Sequence, residues 1–202
     1  MIMNSSMLQL VFATNNQHKV DEMRTAIGNF IGIMGLKESG LNFEIPEPHN
    51  TLEKNALEKS RTVYVATGKN CFSEDTGLAV HFLNGEPGVR SARYAGPGSS
   101  AAANIDRLLR QMADSRNRDA EFRTVISLIL EGNEFIFHGI CPGSITRQPR
   151  GNAGFGYDPV FVPNGADKTF AEMSPEEKNI FSHRRKAADE LVRFLQITHG
   201  KN

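Results

Sequence analysis

The sequence predicts an α/β protein, a long mixed β-sheet flanked by helices. Apolar runs of strand length alternate with helical patterns along the first half of the chain, as crossover units require. Residues 121–130 and 134–140 then read as two strands joined around Gly132-Asn133, a hairpin signal that demands antiparallel pairing. Composition agrees: 202 residues, 39% hydrophobic and 23% charged, describe a chain able to bury a full core.

The elements follow in order. Residues 8–13, LQLVFA, form a short buried strand. Polar residues 14–18 lead into an amphipathic helix whose apolar side runs through Val20, Met23, Ile27 and Phe30. Residues 42–45, closed by Pro46 and Pro48, are a candidate second strand. A helix over about 51–67 starts at Thr51, a good N-cap. Residues 71–82 are extended and broken near Thr76-Gly77, and 84–99 are a Gly/Pro-rich loop. Residues 100–113 are helical, with Ile105, Leu108, Leu109 and Met112 on one side. Ser182 caps a last helix carrying Ala187, Ala188, Leu191 and Leu195 at helical spacing. No composition shift marks a linker, so residues 1–202 are read as one domain, with the 84–99 loop a candidate border of a cleft between two lobes.

Several function classes drop out. Lys plus Arg number 23 and Asp plus Glu number 23, so the bulk basic excess of a nucleic-acid or membrane-surface binder is missing. Cys71 and Cys141 lack disulfide-scaffold or zinc spacing and read as reduced thiols. With no secretory pattern at the N-terminus and no apolar run of membrane-spanning length, the expectation is a soluble cytoplasmic protein.

Four segments concentrate the chemistry. In FATNNQHK (12–19) a strand delivers Thr14 and Asn15 to a helix start with Lys19 one turn in. Free N–H groups and a lysine there attract phosphate. The segment lacks the glycines of a Walker loop, and taken alone it reads better as simple capping by Asn15 or Asn16 with Lys19 solvated. In TLEKNALEKS (51–60) the arc through Leu52, Val63, Ala56, Tyr64 and Leu57 has Glu53 at its middle. Glu53 is therefore either an inward acid seeking a cation or a first-turn acid that stays wet.

In SEDTGL (73–78) the adjacent acids Glu74 and Asp75 can meet one hard cation if the backbone turns there; otherwise Asp75 caps a polar turn. In GFGYDPVFVP (154–163) Phe155 or Tyr157 can stack on a base and Asp158 can accept from a ring N–H. Downstream, Lys178, His183 and Arg184 can donate to ring carbonyl oxygens, although most phenylalanines are core and most lysines solvated.

Taken in order, FATNNQHK, SEDTGL, LNGEPGVRSARYAG, FGYDPVF, KTFAEMSPEEKN and SHR resemble the inosine/xanthosine triphosphate pyrophosphatases (ITPase/XTPase), from Phe12 to Arg184. The resemblance implies an elongated fold with a long mixed sheet, a substrate cleft between two lobes, and a homodimer. It implies Mg²⁺-dependent hydrolysis of ITP, dITP and XTP to the monophosphate and pyrophosphate, removing them from the nucleotide pool.

By the same resemblance Thr14, Asn15, Lys19 and Thr76 bind the phosphates. Asp75 is the essential acid, with Glu74 and Glu53 as further metal carboxylates. Phe155, Tyr157, Asp158, Lys178, His183 and Arg184 form the base pocket. The chain departs from the pattern in two places: Lys54 stands where many relatives have an acid before the helix asparagine, and Glu74 where many have aspartate.

Overall fold

The structure is a computed structural model and describes residues 7–41 and 45–199, with the side chain of residue 199 left aside. The chain order is β1 (Gln9–Phe12), α1 (Gln17–Ile27), β2 (Gly32–Gly35), α2 (Leu52–Thr67), β3 (Cys71–Val80) and β4 (Pro87–Gly88). It continues with α3 (Ala101–Gln111), β5 (Asp119–Leu130), β6 (Asn133–Ile145), β7 (Phe161–Pro163), α4 (Pro175–Phe181) and α5 (His183–His199). Among the described residues the strands form one seven-stranded sheet in the order β2-β1-β3-β5-β6-β7, with β4 paired to β3. β1 is parallel to β2 and β3, whereas β3–β4 and β6–β7 are antiparallel, so the sheet is mixed as the sequence predicts.

Two compact units share these elements. One takes the chain up to Asp75, Val125–His138 and the chain from Ala187 onward; the other takes Thr76–Thr124 and Gly139–Lys186. The divisions fall inside β3, β5, β6 and α5, not in linkers.

In the first unit the alternation of β1 sorts two cores. Leu10 and Phe12 pack with Val20 and Met23 of α1, Phe72 of β3, and Ala187, Ala188, Leu191 and Leu195 of α5. Val11 and Ala13 pack instead with Val63 of α2 and Cys71 of β3. Burying a leucine such as Leu191 contributes roughly 1.5–3 kcal/mol. In the second unit Leu78, Ile105, Leu108, Met112, Phe122, Tyr157, Phe161 and Phe170 close a separate core.

Local chemistry explains the boundaries. Asn16, Thr51 and Ser100 accept from the backbone three residues on and start α1, α2 and α3. Ser182 accepts from the Arg185 N–H, as expected of the cap of α5. Gly28 ends α1 before Phe30, which stays partly exposed instead of extending the apolar side.

Three expectations are corrected. The hairpin turn is Glu131-Gly132, with φ of 50° and 80°, one residue earlier than expected, because a two-residue turn of this hand needs positive φ at both central positions. β3 runs unbroken through Thr76-Gly77. β2 lies at Gly32–Gly35, and the strand expected at 42–45 falls mainly on residues outside the described ones.

Candidate active site

The first unit reverses its winding at β1. The chain passes from β1 through α1 to β2, then back through α2 to β3 on the other side of β1. Right-handed crossovers in opposite directions put α1 and α2 on opposite faces. The carboxyl ends of strands at such a reversal are where open α/β sheets bind ligands. Phe12 and Phe72 are partners at the end of the β1–β3 pairing, so Thr14 and Glu74-Asp75 leave it together.

Because β3 stays extended, adjacent side chains take opposite faces. Glu74 faces the α1 side, where its Oε1 lies 3.5 Å from Lys19 Nζ. Ser73 and Asp75 face α2: Ser73 Oγ donates to the Ala56 carbonyl, and Asp75 meets Lys59 and Asn55. The backbone turn that would bring both acids to one point is therefore absent, and each acid has its own lysine.

Lys59 is the centre of the α2 side. Its Nζ donates to Asp75 Oδ1 at 2.9 Å and to Glu47 Oε1 at 2.7 Å, while Asn55 Nδ2 lies 3.4 Å from Asp75 Oδ2. Burial works against the lysine charge, but Asp75 and Glu47 outweigh it and hold the ammonium above the usual lysine pKa. Burial pushes the Asp75 carboxyl above its ordinary range, with Lys59 and then Lys19 pulling it back.

Sequence reasoning missed Lys59, Asn55 and Glu47, and it misplaced Glu53. The side of α2 turned inward holds Asn55, Ala56, Lys59, Ser60 and Val63. Glu53 is half exposed and lies 3.9 Å from His138, on the solvent side of the helix. The apolar residues alone misplace the arc, because three of the five buried positions are polar.

The phosphate candidates sit at the open start of α1. Thr14 Oγ1 accepts from the Asn16 N–H, Asn15 is exposed, and Asn16, not Asn15, is the cap. Thr76 lies in the second unit and shares a hydrogen bond with Thr124 at 2.8 Å. Among the described residues no three His, Cys, Asp or Glu side chains gather to hold a metal by themselves. Carboxylates without soft ligands suit a hard cation that completes its shell with water and phosphate oxygens.

The second group belongs to the second unit. The 3₁₀ turn Asp158–Val160 follows a glycine-flanked Phe155. Gly154 has φ 74°, and a Cβ there would sit 2.1 Å from Asp158 Oδ2, so only glycine fits. That oxygen accepts from the Phe155 N–H at 2.9 Å and from Lys178 Nζ at 2.7 Å. Lys178 Nζ and the Arg184 guanidinium stand 5.4 and 5.5 Å from the centre of the partly exposed Phe155 ring. His183 stacks on Phe122 at 4.5 Å, and both His183 and Arg184 are buried.

α4 carries Lys178 and begins with a capping box of Ser174 and Glu177, a signal legible as SPEE in the sequence. Tyr157 departs from expectation. It is a core residue whose hydroxyl donates to the Ser91 carbonyl at 2.9 Å, so the exposed aromatic face is that of Phe155.

The first unit thus carries a carboxylate–lysine network at the winding reversal of its sheet, and the second unit carries an aromatic and cationic group of its own. The chain matches the Ham1 family over residues 10–194 and belongs to it. It is 46% identical over 191 residues to the dITP/XTP pyrophosphatase of Flavobacterium johnsoniae, covering 95% of this chain and 100% of that one. It is 46% identical over 190 residues to the dITP/XTP pyrophosphatase of Porphyromonas gingivalis, covering 94% and 98%. Among solved structures, a HAM1 protein from Coxiella burnetii superposes with a TM-score of 0.86 at 36% identity, covering 95% of this chain and 100% of that one.

Proposed function

We propose that the protein hydrolyses purine nucleoside triphosphates bearing hypoxanthine or xanthine (ITP, dITP and XTP), releasing the monophosphate and pyrophosphate. The observation that carries this reading is the Glu47–Lys59–Asp75–Asn55 network at the reversal of the sheet, beside Lys19. The full-length similarity to dITP/XTP pyrophosphatases supports the substrate class.

In this reading Asp75 and Glu47 would hold Mg²⁺, and Glu53, turned to solvent, would not. When bound, the ion supplies positive charge to the phosphate oxygens. Lys19, kept beside Glu74, and the positive end of the α1 dipole bind the phosphates with Thr14, Asn15 and Thr76. Water attacks the α-phosphorus and its proton passes to Asp75. The α–β bridging P–O bond breaks with its electron pair leaving on pyrophosphate.

The base stacks on Phe155, with Lys178 and Arg184 as donors to the 6-oxo group and Asp158 holding both Lys178 and the Phe155 backbone. Adenine presents an amino group where these donors point and is rejected. Guanine shares the 6-oxo group, so its exclusion falls to the edge carrying the 2-position. The family resemblance supports a homodimer working in the cytoplasm on the nucleotide pool.

A panel of ITP, dITP, XTP, ATP, GTP, CTP and UTP, with and without Mg²⁺ and with pyrophosphate measured, tests the reading. The expected result is that hypoxanthine and xanthine substrates exceed the others by orders of magnitude, and only with Mg²⁺. Comparable rates across the panel would overturn it.

A further inference from the structure

We propose that Asn55 is a positioning residue that clasps the loop bearing Glu47 and so sets the distance between Glu47 and Asp75. The inference rests on the metal-assisted reading above and assigns a role to a side chain which that reading leaves in the background. Asn55 is fully buried on α2, one turn before Lys59. Its Oδ1 accepts the His49 N–H at 2.9 Å and its Nδ2 donates to the His49 carbonyl at 3.2 Å. The same Nδ2 points at Asp75 Oδ2.

A side-chain amide is the one group that offers an acceptor and a donor in one plane, so Asn55 meets the backbone of His49 at two points, as a neighbouring strand would. Ile45 packs against the core of Val11, Val63 and Cys71, and beyond it the loop runs without regular structure. Residues 45–48 belong to no helix or strand. Pro46 and Pro48 bring no N–H, which leaves Glu47 and His49 as the donors around the critical acid. His49 Nε2 also lies 3.6 Å from Glu58, but that pair is more than a third exposed and holds weakly.

Glu47 sits two residues before the clasp and reaches Lys59, which in turn reaches Asp75. Asn55 and Lys59, at i and i+4 on one face of α2, thus grip the loop at backbone and side chain and touch different oxygens of Asp75. Without Asn55 the two acids remain bridged by Lys59 but lose the backbone clasp that fixes the Glu47 loop against α2. Groups behind metal ligands commonly change metal affinity or activity by about 10- to 100-fold when removed.

The test uses the full chain and two independent cuts of the clasp. Asn55→Ala removes it from the helix side. His49→Pro removes the N–H from the loop side, and His49→Ala keeps the N–H and serves as the matched control. Expected for Asn55→Ala is a rise of about 10-fold or more in the Mg²⁺ concentration giving half-maximal pyrophosphate release from ITP. His49→Pro shows a smaller rise, because the carbonyl half of the clasp survives, and His49→Ala stays close to wild type.

In metal-free protein, hydrogen exchange at the His49 amide is slow in wild type and fast in Asn55→Ala, a readout independent of turnover. If Asn55→Ala does not fold, the His49→Pro and His49→Ala pair decides. Unchanged Mg²⁺ half-saturation in both Asn55→Ala and His49→Pro, or equal effects of His49→Pro and His49→Ala, overturns the inference and leaves the function standing. A wild-type protein that releases no pyrophosphate with Mg²⁺ removes the functional reading, and this inference with it.

Discussion

The two groups of side chains solve opposite problems with similar residues. In the first unit charge is gathered: Glu47 and Asp75 share Lys59, and Glu74 faces Lys19. In the second unit charge is spread around a ring: Lys178 pairs with Asp158, while Lys178 and Arg184 approach Phe155. In the proposed reading the first arrangement takes an additional cation and a polyanion, with Asp75 and Glu74 buried and Lys59 and Lys19 beside them. The second is poised for a flat, neutral, hydrogen-bonding partner. Under the proposed function the first group handles the phosphates and the second the base, and the contrast predicts that damage to the first changes turnover while damage to the second changes binding.

The largest expected effect follows from Asp75→Asn. It keeps the size and the acceptor toward Lys59 but removes the charge and the proton acceptor, so kcat should fall by roughly 10³-fold. The ratio of KM values for ITP and GTP should hold, and the thermal midpoint should move by only a few degrees. A variant with near-normal kcat would break the comparison at its first term.

Lys59→Met probes the same region through stability. It leaves Glu47 and Asp75 without their shared cation, and removing one partner of a buried pair costs about 3–5 kcal/mol. The sign with pH follows from the shifts. The Lys59 pKa is raised, so its stabilisation is complete below the ordinary lysine pKa of 10.5 and is lost only as pH rises through its folded value. The Asp75 pKa is raised too, so as pH falls this acid takes up a proton early and no longer needs the lysine. Urea unfolding should therefore show a gap between wild type and variant that is flat at neutral pH and narrows toward acid. A gap that widens on acidification would contradict the network.

These residues also show what the sequence hides. Asp75 is legible because acid followed by acid and then Thr-Gly is an unusual way to continue an apolar strand. Thr51, Ser100 and Ser182 are legible because capping is local chemistry. Lys59 and Asn55 are not, since both count as solvent-facing in any hydropathy pattern. The arc drawn from the apolar residues of α2 was rotated by roughly 60° and put Glu53 inward. Glu47 is hidden for a different reason. It lies in a loop without periodicity, and only the fold brings it to a lysine twelve residues on. A buried polar site erases the contrast on which pattern reading depends.

The second group carries the smallest and sharpest prediction, because two aromatic residues of one motif separate there. Phe155 is partly exposed, with cations around its ring. Base stacking is worth about 1–3 kcal/mol, so Phe155→Ala should raise KM by roughly 10-fold and hold kcat. Tyr157, two residues on, is a core residue tied to the Ser91 carbonyl. Tyr157→Phe therefore leaves KM and base selectivity unchanged and costs about 1–3 kcal/mol of stability through the unpaired buried carbonyl. Burial raises the Tyr157 pKa, so its hydroxyl stays a donor through the alkaline range and wild-type KM shows no inflection from it. If Tyr157→Phe raises KM while Phe155→Ala does not, the stacking surface is misassigned. If both raise it, the hydroxyl–Ser91 bond positions the loop that binds the base, and the division between binding and scaffold within this motif is less sharp than the burial of the two rings implies.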